Sequence, residues 1–143
     1  MKKISEKEKS NLKRKTYNEL LRLENIINNT DDISKINLFK NYFNVCESVY
    51  KVVLKRLTDK KDKDLKLDMR EIPAAMKYAG YIVDINLLKR LFGSKKLNGK
   101  NTAKLLRNSV THGINERAVI EILERWNELF DDMNDFLNLV RMQ

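Results

Sequence analysis

In 143 residues the chain carries one cysteine, one proline, one histidine and four glycines, and each scarcity closes off a class of protein. A lone cysteine, Cys46, excludes an intramolecular disulfide and every zinc motif built on several cysteines. It sits in an apolar helical pattern, so its thiol reads as buried and inert. So little Gly and Pro leaves too few turn formers for a chain of many short strands, and helices are favoured before any periodicity is considered. No window approaches the roughly 18 uninterrupted apolar residues of a membrane span. The opening Met1-Lys2-Lys3-Ile4-Ser5-Glu6 is basic but has no apolar run behind it, unlike a signal peptide. The expected compartment is the cytoplasm.

What is present is charge. Charged residues make up 34% and hydrophobic residues 42%, the balance of a soluble globular chain, and the length suits a single domain over 1–143. The net charge of +9 is unevenly placed: residues 1–107 hold 26 Lys and Arg against 13 Asp and Glu, and residues 108–143 hold 3 against 7. A basic body suits a polyanionic partner, because Lys and Arg release counterions from phosphates. It equally suits a solvated, lysine-rich surface. No helix pairs a basic face with a Trp/Phe-rich one, so a membrane surface is not the expected partner.

The periodicity predicts an all-α, compact bundle of five to six helices with a long C-terminal helix. Ser5-Glu6-Lys7-Glu8 is a capping box opening a helix to about Asn29, whose apolar stripe is Leu12, Tyr17, Leu20, Leu21, Ile26 and Ile27. A second helix runs from about Ile33 to Leu57, with Ile36, Phe39, Phe43, Cys46, Tyr50, Val53 and Leu57 on its core face. The segment 58–64 reads as a mixed-charge connector. Pro73 opens a short helix closed by Gly80, and Asp84 caps another, Ile85 to Phe92, closed by Gly93. The loop 94–100 is expected to be basic and flexible. Asn101 or Thr102 caps the next helix, which Gly113 ends. Asn115 caps a final helix to about Met142, whose near-heptad seam Val119, Leu123, Trp126, Phe130, Met133, Leu137, Val140 suits either the bundle interior or a second chain.

The helix before Gly113 carries the residues with chemistry. With Arg107 set at 0° and about 100° per residue, Ala103, Leu106, Val110 and Ile114 fall between roughly 260° and 340°. Thr111, Asn108 and His112 fall near roughly 40°, 100° and 140° on the same geometry. Apolar and polar arcs are largely opposed. His112 is the only side chain whose ordinary pKa suits proton exchange near neutrality. A histidine in the last turn is also what a helix C-terminus favours electrostatically, so geometry alone leaves a structural reading open.

The string Leu106-Arg107-Asn108-Ser109-Val110-Thr111-His112-Gly113 resembles the motif of the HEPN superfamily, in which an arginine, commonly followed by Asn, precedes a histidine by about five positions. The resemblance implies a compact helical domain. It also implies a metal-independent endoribonuclease of the kind found in toxin–antitoxin, abortive-infection and CRISPR systems, needing no cofactor. Its implied partners are RNA, a second copy of the chain completing a composite active site, and an antitoxin or inhibitor protein. Some HEPN-like proteins serve instead as noncatalytic nucleic-acid-binding or regulatory modules, which is the alternative function. One branch of the superfamily continues past its histidine with x-Tyr; here Gly113-Ile114 follows His112, so that branch is not indicated.

On this reading RNA supplies its own 2′-hydroxyl nucleophile, and the expected products are a 2′,3′-cyclic phosphate and a 5′-hydroxyl. The catalytic set is Arg107, Asn108 and His112: His112 exchanges the proton, Arg107 holds the phosphate, and Asn108 orients the imidazole or bonds a phosphate oxygen. Ser109, Thr111, Lys95, Lys96, Lys100 and Lys104 are weaker candidates for contacting the RNA. A base and an acid are most readily two groups, and the chain offers one histidine, so two chains meeting at the motif agrees with the implied dimer. A metal-dependent nuclease needs clustered ligands. The only dense acidic set, Glu128, Asp131, Asp132 and Asp135, has helical spacing that reads as a solvated face, so no metal site is expected.

Overall fold

A computed structural model describes residues 5–24, 32–58, 76–77, 80–111 and 115–142. Among them are six helices: α1 (Glu6–Glu24), α2 (Asp32–Thr58), α3 (Ile85–Phe92), α4 (Ala103–Thr111), α5 (Glu116–Glu124) and α6 (Trp126–Met142). The chain is an all-α bundle, and its only β feature among the described residues is an isolated bridge between Leu97 and Lys100.

Local signals set several helix ends. The capping box forms as a reciprocal pair: the Glu8 N–H donates to Ser5 Oγ at 3.2 Å and the Ser5 N–H donates to Glu8 Oε1 at 3.4 Å. Asp84 caps α3 by accepting the Asn86 N–H at 2.9 Å, and Asn115 caps α5 by accepting the Ala118 N–H at 3.1 Å. Gly80, at φ +91°, is the left-handed residue of a Schellman ending: its N–H donates to Lys77 O and the Tyr81 N–H donates to Met76 O. Pro73 lies outside the described residues. Gly93 is required for a different reason. Its φ is ordinary, but a Cβ there would stand 2.6 Å from the Lys89 carbonyl oxygen.

α2 is the central element, packed on α1, α4, α5 and α6, while α3 packs on α4 and α6. It buries Leu38, Phe39, Tyr42, Phe43, Val45, Cys46 and Val49, a face wider than one stripe because helices surround it. Tyr50, Val53 and Leu57 lie outside the described side chains. On α1 Leu12 is buried, while Tyr17, Leu20, Leu21, Ile26 and Ile27 lie outside the described side chains. Phe92 joins the core between Phe43 (ring centroids 5.4 Å apart) and Phe136 (5.6 Å), tying α2, α3 and α6 together. Cys46 is fully buried, its thiol pushed up by burial, as the apolar pattern predicts.

Three expectations change. The predicted single final helix is two, α5 and α6, broken at Arg125 with φ −101° and ψ 21°. The buried set is Ala118, Ile122, Leu129, Met133, Phe136 and Leu137, with Val119, Trp126 and Phe130 only partly buried. A heptad traces one narrow seam, whereas these helices meet several neighbours, so the buried residues follow a broader face. Val140 lies outside the described side chains. The loop expected to be flexible is a tight turn: Leu97 and Lys100 exchange N–H···O bonds at 2.9 Å, with Asn98 at φ +52° and Gly99 at φ +77°. Positive φ at both central residues is the Asn-Gly hairpin turn, a two-residue signal that its lysine content masked. Finally, Asp132 is not on a solvated face. It is 9% exposed, and Arg90 donates to both its oxygens, from Nε at 3.0 Å and Nη2 at 3.1 Å, clamping α3 to α6.

Candidate active site

The motif helix α4 is held at its start by two neighbours. Thr102, rather than Asn101, is its cap: Oγ1 accepts the Leu105 N–H at 3.2 Å and donates to the Gly93 carbonyl at 2.7 Å, fastening α4 to the end of α3. Asn101 is used otherwise. Its backbone N–H and Nδ2 donate to the Glu121 carboxylate at 3.0 and 2.7 Å, and its carbonyl accepts from Arg125 Nη1 at 2.7 Å, linking α4 to the break between α5 and α6.

Anchored this way, α4 buries Ala103, Leu106 and Val110, the apolar arc expected from the helical turn. Arg107 turns toward α2. Its Nη2 donates to Glu47 Oε2 at 2.7 Å, Nη1 to Asn44 Oδ1 at 2.8 Å, and Nε to Asn108 Oδ1 at 2.9 Å. The guanidinium lies 4.7 Å from the Phe43 ring centroid, a cation–π contact on the same side. Arg107 and Glu47 side chains are each 15% exposed, neither sealed in nor free. Burial works against the Glu47 charge, but the Arg107 hydrogen bond and charge, aided by Lys51 at 3.3 Å, outweigh it and hold the carboxyl below its ordinary range. Of the five guanidinium N–H groups, three have acceptors among the described residues, and two remain for a ligand.

The other expected site residues are less gathered. Ser109 and Thr111 donate their hydroxyls to their own helix, to Leu105 O at 2.9 Å and Arg107 O at 2.7 Å, leaving oxygen lone pairs but no donor to offer. Lys104 Nζ reaches Ser94 Oγ at 3.2 Å, and Lys100 Nζ stands 3.9 Å from Glu128; Lys95 and Lys96 are exposed in the turn segment. His112, Gly113 and Ile114 lie outside the described residues, so the Arg107–His112 relation rests on sequence spacing.

Sequence reasoning missed the α2 half of this cluster: Phe43, Asn44, Glu47 and Lys51. One signal was present. Glu47 is the only charged residue between Lys40 and Lys51, in an otherwise apolar and uncharged stretch of a core helix. A lone carboxylate in such a position needs a partner, and Arg107 is that partner. The chain finds no match among family models, curated proteins or solved structures.

Proposed function

We propose that the chain is a metal-independent endoribonuclease acting in a toxin or phage-defence setting, a HEPN-like protein in which Arg107, Asn108 and His112 carry the reaction. The observation that supports this reading is the placement of Arg107: a motif arginine on the polar arc of α4, fixed by three acceptors, with two N–H donors left over among the described residues. In the reaction, the 2′-oxygen forms a bond to phosphorus as the P–O5′ bond breaks. The 2′-hydroxyl proton passes to a base and a proton is delivered to the leaving 5′-oxygen, giving a 2′,3′-cyclic phosphate and a 5′-hydroxyl. Arg107 stabilises charge on the non-bridging oxygens, an electrostatic contribution that mutagenesis of such donors places at about 3 kcal/mol. His112 handles the proton, and a second copy of the chain supplies the second histidine.

A second reading has its own observation. Every nitrogen of Arg107 already has a protein acceptor, which also suits an arginine that braces α4 against α2 in a noncatalytic RNA-binding or regulatory protein. The test uses purified wild type, Arg107→Ala and His112→Ala on RNA, with EDTA present. The catalytic reading expects cleavage with cyclic-phosphate ends by wild type alone, both variants retaining their helical circular dichroism. RNA binding without cleavage by wild type selects the second reading, and equal cleavage by all three proteins overturns the first.

A further inference from the structure

Three ion-paired arginines are held within the described bundle, and they are held in different ways. Arg90 donates to both oxygens of Asp132, a side-on pair between two packed helices. Arg125 is surrounded by Glu121, Glu128 and the Asn101 carbonyl at the helix break. Both arrangements join secondary-structure elements, as Arg107 joins α4 to α2. Arg107 differs in that its three nitrogens meet acceptors on three separate residues, and among the described residues one N–H on each terminal nitrogen has no acceptor. Fixing a guanidinium by three independent bonds contributes to stability, and it also removes the rotamer freedom that a phosphate would otherwise have to freeze out.

We infer that Glu47, with Asn44 beside it, is a positioning residue for Arg107, so that α2 builds the phosphate-binding half of the site. This rests on the ribonuclease reading above. Glu47 does not cancel the field that an anion meets, because it bridges two cations, Arg107 at 2.7 Å and Lys51 at 3.3 Å, and the three groups together keep one net positive charge. Nor is Glu47 the proton acceptor. A carboxylate bound to two cations is a weak base, and its contacts are spent on them. Its role is exercised through Arg107.

A role through Arg107 predicts non-additive kinetics. Glu47→Ala lowers kcat about 10- to 100-fold with KM within about threefold, and Arg107→Ala lowers it further. The double variant is no slower than Arg107→Ala alone, because nothing remains for Glu47 to orient. Glu47→Asp, which keeps the charge, recovers part of the loss. Thermal melts of each variant accompany the assay, and the same cycle is read by fluorescence anisotropy with a 2′-deoxy oligonucleotide that cannot be cleaved. Full activity in Glu47→Ala, or additive losses in the double variant, overturns the proposal while leaving the ribonuclease reading in place. Rescue of Glu47→Ala by added formate, with loss of the acidic limb of the pH–rate profile, also overturns it and makes Glu47 a base. If wild type binds but does not cleave, the ribonuclease reading fails, and the positioning role stands only if the anisotropy cycle is non-additive. A wild type that neither cleaves nor binds overturns both.

Discussion

Thr102 is where the stability of the bundle and the placement of its motif helix meet, and replacing it by valine separates the two contributions of its side chain. Valine keeps the shape and the methyl group while removing the hydroxyl. The α4 cap loses its bond to the Leu105 N–H, about 1 kcal/mol for a helix cap of this type. The Gly93 carbonyl loses its donor in a place where Thr102 is only 2% exposed, about 1–2 kcal/mol more. The sum is about 2–3 kcal/mol, which in a chain of this size lowers Tm by about 8 °C. Thr102→Ser keeps both bonds and loses one methyl, about 1 kcal/mol and about 3 °C. Thermal unfolding followed at 222 nm gives both values, and amide exchange reports the Leu105 N–H directly, with protection falling in the valine variant only. A valine variant as stable as wild type, or less damaged than the serine variant, would refute the assignment of Thr102 as the cap and tie of α4.

Three further outcomes follow from other contacts. Arg90→Met strands Asp132, whose side chain is 12% exposed, and costs about 3 kcal/mol; Asp132→Asn leaves Arg90, 41% exposed, to water and costs about 1–2 kcal/mol. Urea titration checks this order, and equal losses would count against it. The Glu47 carboxyl is held below its ordinary value of 4.5 in the fold, so its contribution is fully present above that value and is lost as pH falls through the lower folded one. The stability gap between wild type and Glu47→Gln should therefore be level from pH 7 to 5 and narrow below about 4.5; a gap that widens on acidification is the contrary result. Tyr81 is 1% exposed and its hydroxyl has no hydrogen-bond partner among the described residues, so Tyr81→Phe should be neutral or stabilise by about 1 kcal/mol in the same titration.

Much of the fold was legible because the information is local. A capping box at Ser5 and Glu8, cap residues at Asp84 and Asn115, and a glycine at 80 each act within a turn of chain, and all form as the sequence implies. The burial of Phe39, Phe43 and Cys46 follows from helical period alone. What was not legible depends on neighbours. At the break Arg125 meets the local Glu121 and Glu128 but also the Asn101 carbonyl, 24 positions earlier, a contact that no heptad can register. Asp132 read as surface because three of its acidic companions share its helical spacing, whereas burial is decided by Arg90, on a helix 42 positions earlier. The candidate site divides along the same line. Its apolar and polar arcs on α4 were foreseeable, and the acceptors for Arg107 were not, since nothing in the motif points to Asn44 or Glu47.

The bonds between Arg107 and α2 span 60 and 63 positions of chain. Residues of the motif exist as soon as that stretch is synthesised, but the cluster does not: closing a loop of that length must be offset by docking of α4 against the α2 core face. An emerging or partly unfolded chain therefore holds the letters of the motif without a fixed guanidinium. Assembly of the Arg107 cluster thus requires tertiary docking of α4 on α2, and the cluster is lost whenever the two helices separate.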